Sequence, residues 1–302
     1  MTIGRQAAIA AQEACKFALV TGGCKDVGLQ TGLSLAKRLP EGSRIYLSTK
    51  HKEDLLKLTK NIESNHDKSI SEKIKFVHLD FHDHGSIFQL YRDIKREAIV
   101  LDMVVNNAQK YHCPSLMDNS KFKSQCEETM LVNYHGLKKV CKTFSPMMSQ
   151  GGRIVNCSSH LGHLSNLDGR EPEASRLREK FAAKSLSEEE LDRLVKEFES
   201  LSRDGEGSWW HHGWPACSYT VSKIAVNAFT RFVHVFHQYN CCSSLISLIL
   251  QSSPDSAGFR PSSEGPRGEC SSSWLYAQGH EQQRRIQCKA GLSSLFVVFF
   301  YI

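Results

Sequence analysis

The sequence lacks any apolar run long enough to cross a bilayer. Its longest, residues 295–302, falls far short of the roughly 20 residues that a spanning helix needs. Proline and glycine are sparse, at 8 and 20 of 302 residues, which excludes a collagen-like or low-complexity chain. No two cysteines stand at Cys-x-x-Cys spacing; the 11 are scattered, odd in number, and adjacent only at Cys241 and Cys242. Neither a zinc site nor a disulfide framework is therefore expected. The histidine pairs His82/His84 and His211/His212 lack the further ligands that would complete a metal set. Charge of one sign is missing too. The 38 basic and 32 acidic residues are intermixed over the first 230 positions, so the net +6 forms no nucleic-acid stripe, although it suits a small anionic ligand. Residues 1–15 are rich in Ala and Gln, without the apolar core of a signal peptide. With 40% hydrophobic and 23% charged residues, the composition is that of a globular protein of the reducing cytoplasm, with no membrane or nucleic-acid partner expected.

What is present is a regular alternation. Short β-branched or aliphatic runs over 17–20, 44–47, 74–79, 101–105 and 153–156 are separated by amphipathic, charged stretches over 29–39, 52–62, 87–96 and 121–148. Strands that are apolar throughout and spaced by helices are the pattern of buried parallel strands in βαβ units. An antiparallel sheet would show hairpin turns and alternating strands, and few of either occur. The fold expected is α/β, a doubly wound parallel sheet of Rossmann type over residues 1–239. A helical insertion is expected over about 160–217. In it Ser187-Glu188-Glu189-Glu190 reads as a capping box, the Ser187 hydroxyl and the Glu190 carboxylate each taking a first-turn amide. Leu191, Leu194, Val195, Phe198 and Leu201 then share one helical face. The aromatic cluster Trp209, Trp210 and Trp214 follows, and then a second helical pattern over about 218–236.

Thr21-Gly22-Gly23-Cys24-Lys25-Asp26-Val27-Gly28 stands directly after the first strand and opens the first helix. Glycines there let the backbone turn tightly and approach a pyrophosphate, which helix N-terminal amides then hold. One position departs from the pattern. Asp26 replaces the middle glycine and sets a carboxylate either toward the phosphates or away from them. A Tyr-x-x-x-Lys pair occurs at Tyr46/Lys50, Tyr91/Lys95, Tyr134/Lys138 and Tyr219/Lys223. Spacing alone only places two side chains on one helical face. Context selects the last of these pairs. Ser218-Tyr219-Thr220-Val221-Ser222-Lys223 follows a strand that ends in Asn156-Cys157-Ser158-Ser159, so a hydroxyl, a phenol and an ammonium can converge at the carboxyl edge of the sheet.

These motifs, with Asn106-Asn107-Ala108 and Asn133, stand in the order of the short-chain dehydrogenases/reductases, which the chain resembles over about residues 16–236. The segment between Ser159 and Tyr219, ending in Gly213-Trp214-Pro215, is similar to the insertion of the monomeric cytosolic carbonyl reductases. The resemblance implies a cytoplasmic monomer that uses NADPH to reduce small carbonyl compounds (quinones, aryl ketones and aldehydes) to hydroquinones or alcohols. It implies Tyr219 as proton donor, Lys223 lowering the pKa of Tyr219 and contacting the nicotinamide ribose, and Ser159 holding the substrate oxygen. Asn133 would hold a water of the proton relay. Cofactor-binding residues would be Gly22, Lys25, Val27, Gly28, Lys50, Asp80 and Asn107, together with Tyr219 and Lys223. No carboxylate follows the second strand until Glu53, and Lys25 and Lys50 match basic residues of the related reductases, so NADP(H) is expected. Asp80 would bond the adenine amine. Asn107 would line the nicotinamide side, with Gln109 where a glycine usually follows. Trp214 and its neighbours would either wall a substrate pocket or pack the insertion down.

After about Tyr239 the resemblance ends. The family continues with a further strand and a Pro-Gly loop over the nicotinamide. This chain has a strand-like run over 245–250, then Gln251-Ser252-Ser253-Pro254-Asp255 and a stretch rich in Ser, Cys, Gly and Gln. Residues 240–302 read as a divergent tail of the kind a frameshift or alternative splicing produces, and 295–302 as an aggregation hazard if exposed. The missing loop predicts weak NADPH affinity together with low kcat. The alternative function is therefore a catalytically impaired family member, a nucleotide-binding or inert scaffold.

Overall fold

The apolar runs form parallel strands because each has two faces to bury. The computed structural model of the chain describes residues 15–112, 119–204, 207–240, 244–250 and 297–300. Strands β1 (Phe17–Val20), β2 (Arg44–Thr49), β3 (Ile74–His78), β4 (Leu101–Asn106) and β5 (Met148–Ser159) pair in parallel in the order β3-β2-β1-β4-β5. Their side chains alternate between two cores, as the pleat requires. Leu19, Tyr46, Val104 and Ile154 join one; Val20, Ile45, Leu47, Val105 and Val155 join the other. The expected doubly wound sheet is the observed one. Its order reverses between β1 and β4, which opens a crevice at the carboxyl ends of the strands.

The helices lie on both faces. The longer ones are α1 (Asp26–Arg38), α2 (Leu55–Asn65), α3 (His84–Arg96), α4 (Asn119–Met130), α5 (Leu137–Phe144), α6 (Glu173–Ala182), α7 (Glu188–Arg203) and α8 (Ser218–Asn240). Leu33 and Ala36 of α1 and Ile62 of α2 enter the second core. Ile87, Leu90 and Ile94 of α3 enter the first, as do Val140, Cys141 and Phe144 of α5 and Val221, Ile224 and Ala225 of α8.

The helix expected over 121–148 is divided. A π-helical turn, Leu131–Gly136, separates α4 from α5, and a 3-10 turn with Pro146, Ser145–Met147, ends α5 before β5 begins at Met148. Proline supplies no amide to continue the helical ladder. Helix α8 runs beyond 236 to Asn240.

The insertion contains α6, for which the sequence offered no clear periodicity, and α7. Leu191, Leu194, Val195 and Phe198 are buried as expected, and Leu201 is half-buried. Only half of the capping box forms. The Ser187 hydroxyl accepts from the Glu190 amide at 3.2 Å, but the Glu190 carboxylate pairs with Arg193 instead of reaching back. The polar side of α7 is bonded to the body of the protein. Lys138 donates to Asp192 at 2.6 Å and 2.7 Å and pairs with Glu188 at 2.5 Å, and the Tyr134 hydroxyl donates to Asp192 at 2.8 Å.

Beyond α8 the backbone of β6 (Ser244–Leu250) lies parallel to β5, and that of β7 (Val297–Phe300) antiparallel to β6. The Ser-, Cys-, Gly- and Gln-rich stretch of the tail and its Ser252-Ser253-Pro254 segment lie outside the described residues. Among the described residues no helix is long and apolar enough to cross a membrane.

Candidate functional site

The glycine loop begins where β1 ends. The Thr21 amide donates to the Val105 carbonyl and the Gly23 amide to the Ser48 carbonyl, both at 2.9 Å, so the loop is tied to the strands on either side. Gly22 has φ of +62°, and a Cβ there would lie 2.8 Å from the Ala108 Cα; one on Gly28 would lie 2.2 Å from the Gly22 carbonyl oxygen. Both positions demand glycine. Helix α1 has no side-chain cap at its start, which leaves its first amides for an anion. Val27 lies in that turn and exposed Lys25 precedes it. The cradle fits the pyrophosphate of a dinucleotide.

Asp26 takes the glycine-like conformation of the residue it replaces, with φ of +49°, and its side chain is exposed. An L residue there costs roughly 1 kcal/mol, partly offset by the attraction of a carboxylate to a helix N-terminus. Asp26→Gly is expected to raise Tm by about 2 °C and to tighten dinucleotide binding by roughly five-fold, because a negative charge leaves the phosphate cradle. Thermal melts and a cofactor titration check it; unchanged values would show that Asp26 neither strains nor repels.

Asn107 is buried, and its amide braces the loop. Its Nδ2 donates to the carbonyls of Thr21 at 3.1 Å and Gly22 at 3.2 Å, and its backbone amide donates to the Thr21 hydroxyl at 3.1 Å. At the other end of the crevice Lys50 is exposed just past β2, and Asp80 follows β3. Partial burial pushes the Asp80 carboxyl up, but the His82 amide and imidazole, each 3.0 Å away, and the Lys50 charge outweigh it and hold the carboxyl below its ordinary value.

The end of β5, the start of α8 and the π turn meet at the carboxyl edge of the sheet. Ser159, Tyr219, Lys223 and Asn133 are all buried. Lys223 Nζ donates to the Cys157 carbonyl at 2.9 Å and sits 5.3 Å from the centre of the Tyr219 ring. Asn133 Nδ2 donates to the Ser222 hydroxyl at 3.0 Å and to the Lys110 carbonyl at 3.0 Å, while its Oδ1 accepts from the Lys110 amide at 2.7 Å. Asn133 thereby ties the π turn to α8 and to the segment after β4. Continuous α-helix would have rotated it elsewhere, and π turns recur at such sites.

Burial pushes the Tyr219 phenol up to about 12, with Tyr111, Cys157 and Cys217 adding to the effect and a hydrogen bond from Ser159 working the other way. Burial also brings the Lys223 ammonium down to about 8. The resemblance gave Lys223 the task of lowering the phenol, and in the chain alone it does not. Titrating first, Lys223 does not bring the phenol down, but below about pH 8 its ammonium stands beside the protonated Tyr219 and attracts charge that develops on the phenol oxygen.

Two neighbours of Tyr219 belong to none of the motifs. The Tyr219 hydroxyl donates to Gln109 Oε1 at 3.0 Å, and the half-exposed Tyr111 ring meets the Tyr219 ring edge-on at 4.9 Å. The unusual residue after Asn106-Asn107-Ala108 was the only signal available. The wall reading of Trp214 is corrected. Trp214 is fully buried against Phe181 and Phe198, at ring distances of 5.9 Å and 5.4 Å, so it packs the insertion down. Among the described residues no group of three or more His, Cys, Asp or Glu comes together as a metal site would need.

Comparison with known proteins agrees with this architecture. The family model described as short chain dehydrogenase matches residues 16–194. The carbonyl reductase (NADPH) 1 of Homo sapiens is 32% identical over 214 residues, 71% of this chain and 72% of that one. The (+)-neomenthol dehydrogenase of Arabidopsis thaliana is 28% identical over 247 residues, covering 75% and 80% of the two chains. The solved menthone neomenthol reductase from Mentha piperita shares the fold, with a TM-score of 0.62 at 23% identity over 74% of this chain and 86% of its own. The chain belongs to the short-chain dehydrogenase/reductase family of oxidoreductases.

Proposed function

We propose that the protein is an NADPH-dependent carbonyl reductase, a cytoplasmic monomer that converts quinones, aryl ketones and aldehydes to hydroquinones or alcohols. The observation that carries this reading is the meeting of Tyr219, Ser159 and Lys223 beside a glycine cradle at one edge of the sheet. A bound nicotinamide supplies the hydride. The chain's own residues supply the rest. Tyr219, protonated throughout the physiological range because burial holds its phenol high, donates a proton to the carbonyl oxygen. The Ser159 hydroxyl hydrogen-bonds the oxygen as its charge develops. Lys223, anchored on the Cys157 carbonyl, fixes the far side of Tyr219. The human relative's name carries both the carbonyl substrate and NADPH. NADPH consumption by the purified full chain with menadione tests the proposal, and absence of turnover would leave the inert-scaffold alternative.

The choice of NADPH over NADH is assigned to the exposed Lys50, which faces Asp80 at the adenosine end. Lys50→Asp is expected to lower kcat/KM for NADPH about 100-fold relative to NADH, since the 2′-phosphate then meets a carboxylate. An unchanged ratio between the two cofactors would make Lys50 a bystander.

A further inference from the structure

The proton donor of this site is already engaged. Tyr219 donates its hydroxyl to Gln109 Oε1 at 3.0 Å. Gln109 borders a segment clamped from two sides: Asn133 holds both backbone groups of Lys110, and the side chains of Lys110 and His112 each reach Glu128 of α4 at 2.8 Å. Tyr111, on the same segment, packs against the Tyr219 ring in a T-shaped arrangement. A primary-amide carbonyl is a better hydrogen-bond acceptor than a ketone or quinone oxygen. A plain carbonyl compound therefore has to displace a stronger internal acceptor and hands the exposed Gln109 Oε1 over to water.

We propose that Gln109 is a specificity-determining residue that favours carbonyl substrates with a hydrogen-bond donor beside the carbonyl, such as α-hydroxy ketones. The substrate carbonyl takes the Tyr219 hydroxyl, and the adjacent O–H of the same molecule replaces it on Gln109 Oε1. No bond is made or broken in this exchange. The inference rests on the reading of Tyr219 as the donor to substrate and narrows the substrate class of that site.

The test measures affinity, not turnover. Phenacyl alcohol and acetophenone, which differ by the one hydroxyl, are titrated by calorimetry into the cofactor-free full chain and into Gln109→Ala, an exposed position whose truncation leaves the core intact. The full chain is expected to bind phenacyl alcohol roughly ten-fold tighter than acetophenone, the effect of about one well-made hydrogen bond. Gln109→Ala is expected to bring the ratio close to one, chiefly by tightening acetophenone. A ratio that the substitution leaves unchanged overturns the proposal, as does binding of neither ketone by either protein. NADPH oxidation measured in parallel judges the reductase reading separately: no turnover with a shifted ratio would remove the enzyme and keep the selectivity of Gln109.

Discussion

Tyr219→Phe is expected to lower kcat/KM for carbonyl reduction by roughly 1,000-fold or more while NADPH still binds. The substitution removes one oxygen and keeps the ring, which is packed edge-on against Tyr111 and lies beside Lys223. What is lost is the phenolic proton that lies between Ser159 and Lys223 at the edge of the crevice. A hydride accepted on carbon leaves an alkoxide on oxygen, and without a donor that charge builds up in a buried, weakly polar site. Ser159 alone can hydrogen-bond it but is a far weaker acid in that position. The fold should be little changed, because the hydroxyl donates to the exposed Gln109. Steady-state kinetics with menadione and a separate NADPH titration check both halves. Equal turnover by variant and parent would remove Tyr219 from the chemistry.

Lys223→Met is expected to abolish reduction and to raise the melting temperature at neutral pH. Burial lowers the Lys223 pKa from 10.5 to about 8, so the folded state holds its proton less tightly than the unfolded state. The sign follows directly. Between pH 8 and 10.5 the unfolded chain binds the proton and the folded chain does not, so stability rises with pH across that window. Below it the folded protein carries the whole cost of a buried ammonium, on the order of 3 kcal/mol. Methionine removes that cost but leaves the Cys157 carbonyl without its donor, which returns roughly 1 kcal/mol. A net gain of about 2 kcal/mol corresponds to about 4–8 °C in Tm for a domain of this size. The gain should shrink toward pH 10.5, where the folded lysine is neutral and the unfolded one is half deprotonated. Reduction by the parent protein should decline as pH rises through about 8, as the ammonium beside Tyr219 is lost. Melts at pH 7 and pH 10.5 decide the matter; a variant less stable than its parent at pH 7 would mean that the Cys157 contact outweighs the buried charge.

Much of the framework was legible because it is written in local patterns. Short, largely apolar runs at 17–20 and 101–105, spaced by helical stretches, read as buried strands, and they are β1 and β4. The stripe from Leu191 to Phe198 fixed which side of α7 is buried before anything was known of its partner. The glycine loop announced its place by standing between a strand and a helix. Its Asp26, which looked like a defect, keeps the left-handed backbone of the glycine pattern. Even the Tyr219/Lys223 pair, one of several with the same spacing, could be chosen by the strand that precedes it.

The sequence by itself thus determined a doubly wound parallel sheet, the glycine loop and the residue types that gather at the sheet's edge. Periodicity reports whether a side chain is buried, and burial is repeated along each element. The tertiary structure alone decided what those side chains touch. Gln109 and Tyr219 are 110 positions apart, and no local pattern carries a contact between them. The π turn that aims Asn133 is set by its bonds to Lys110 and Ser222, partners remote in the chain. Trp214 became a packing residue through Phe181 and Phe198, which only the folded insertion brings to it. The direction of the Tyr219 shift was likewise undecidable from spacing, because desolvation and the Ser159 hydrogen bond act oppositely on the phenol and their balance depends on how much water the finished fold excludes.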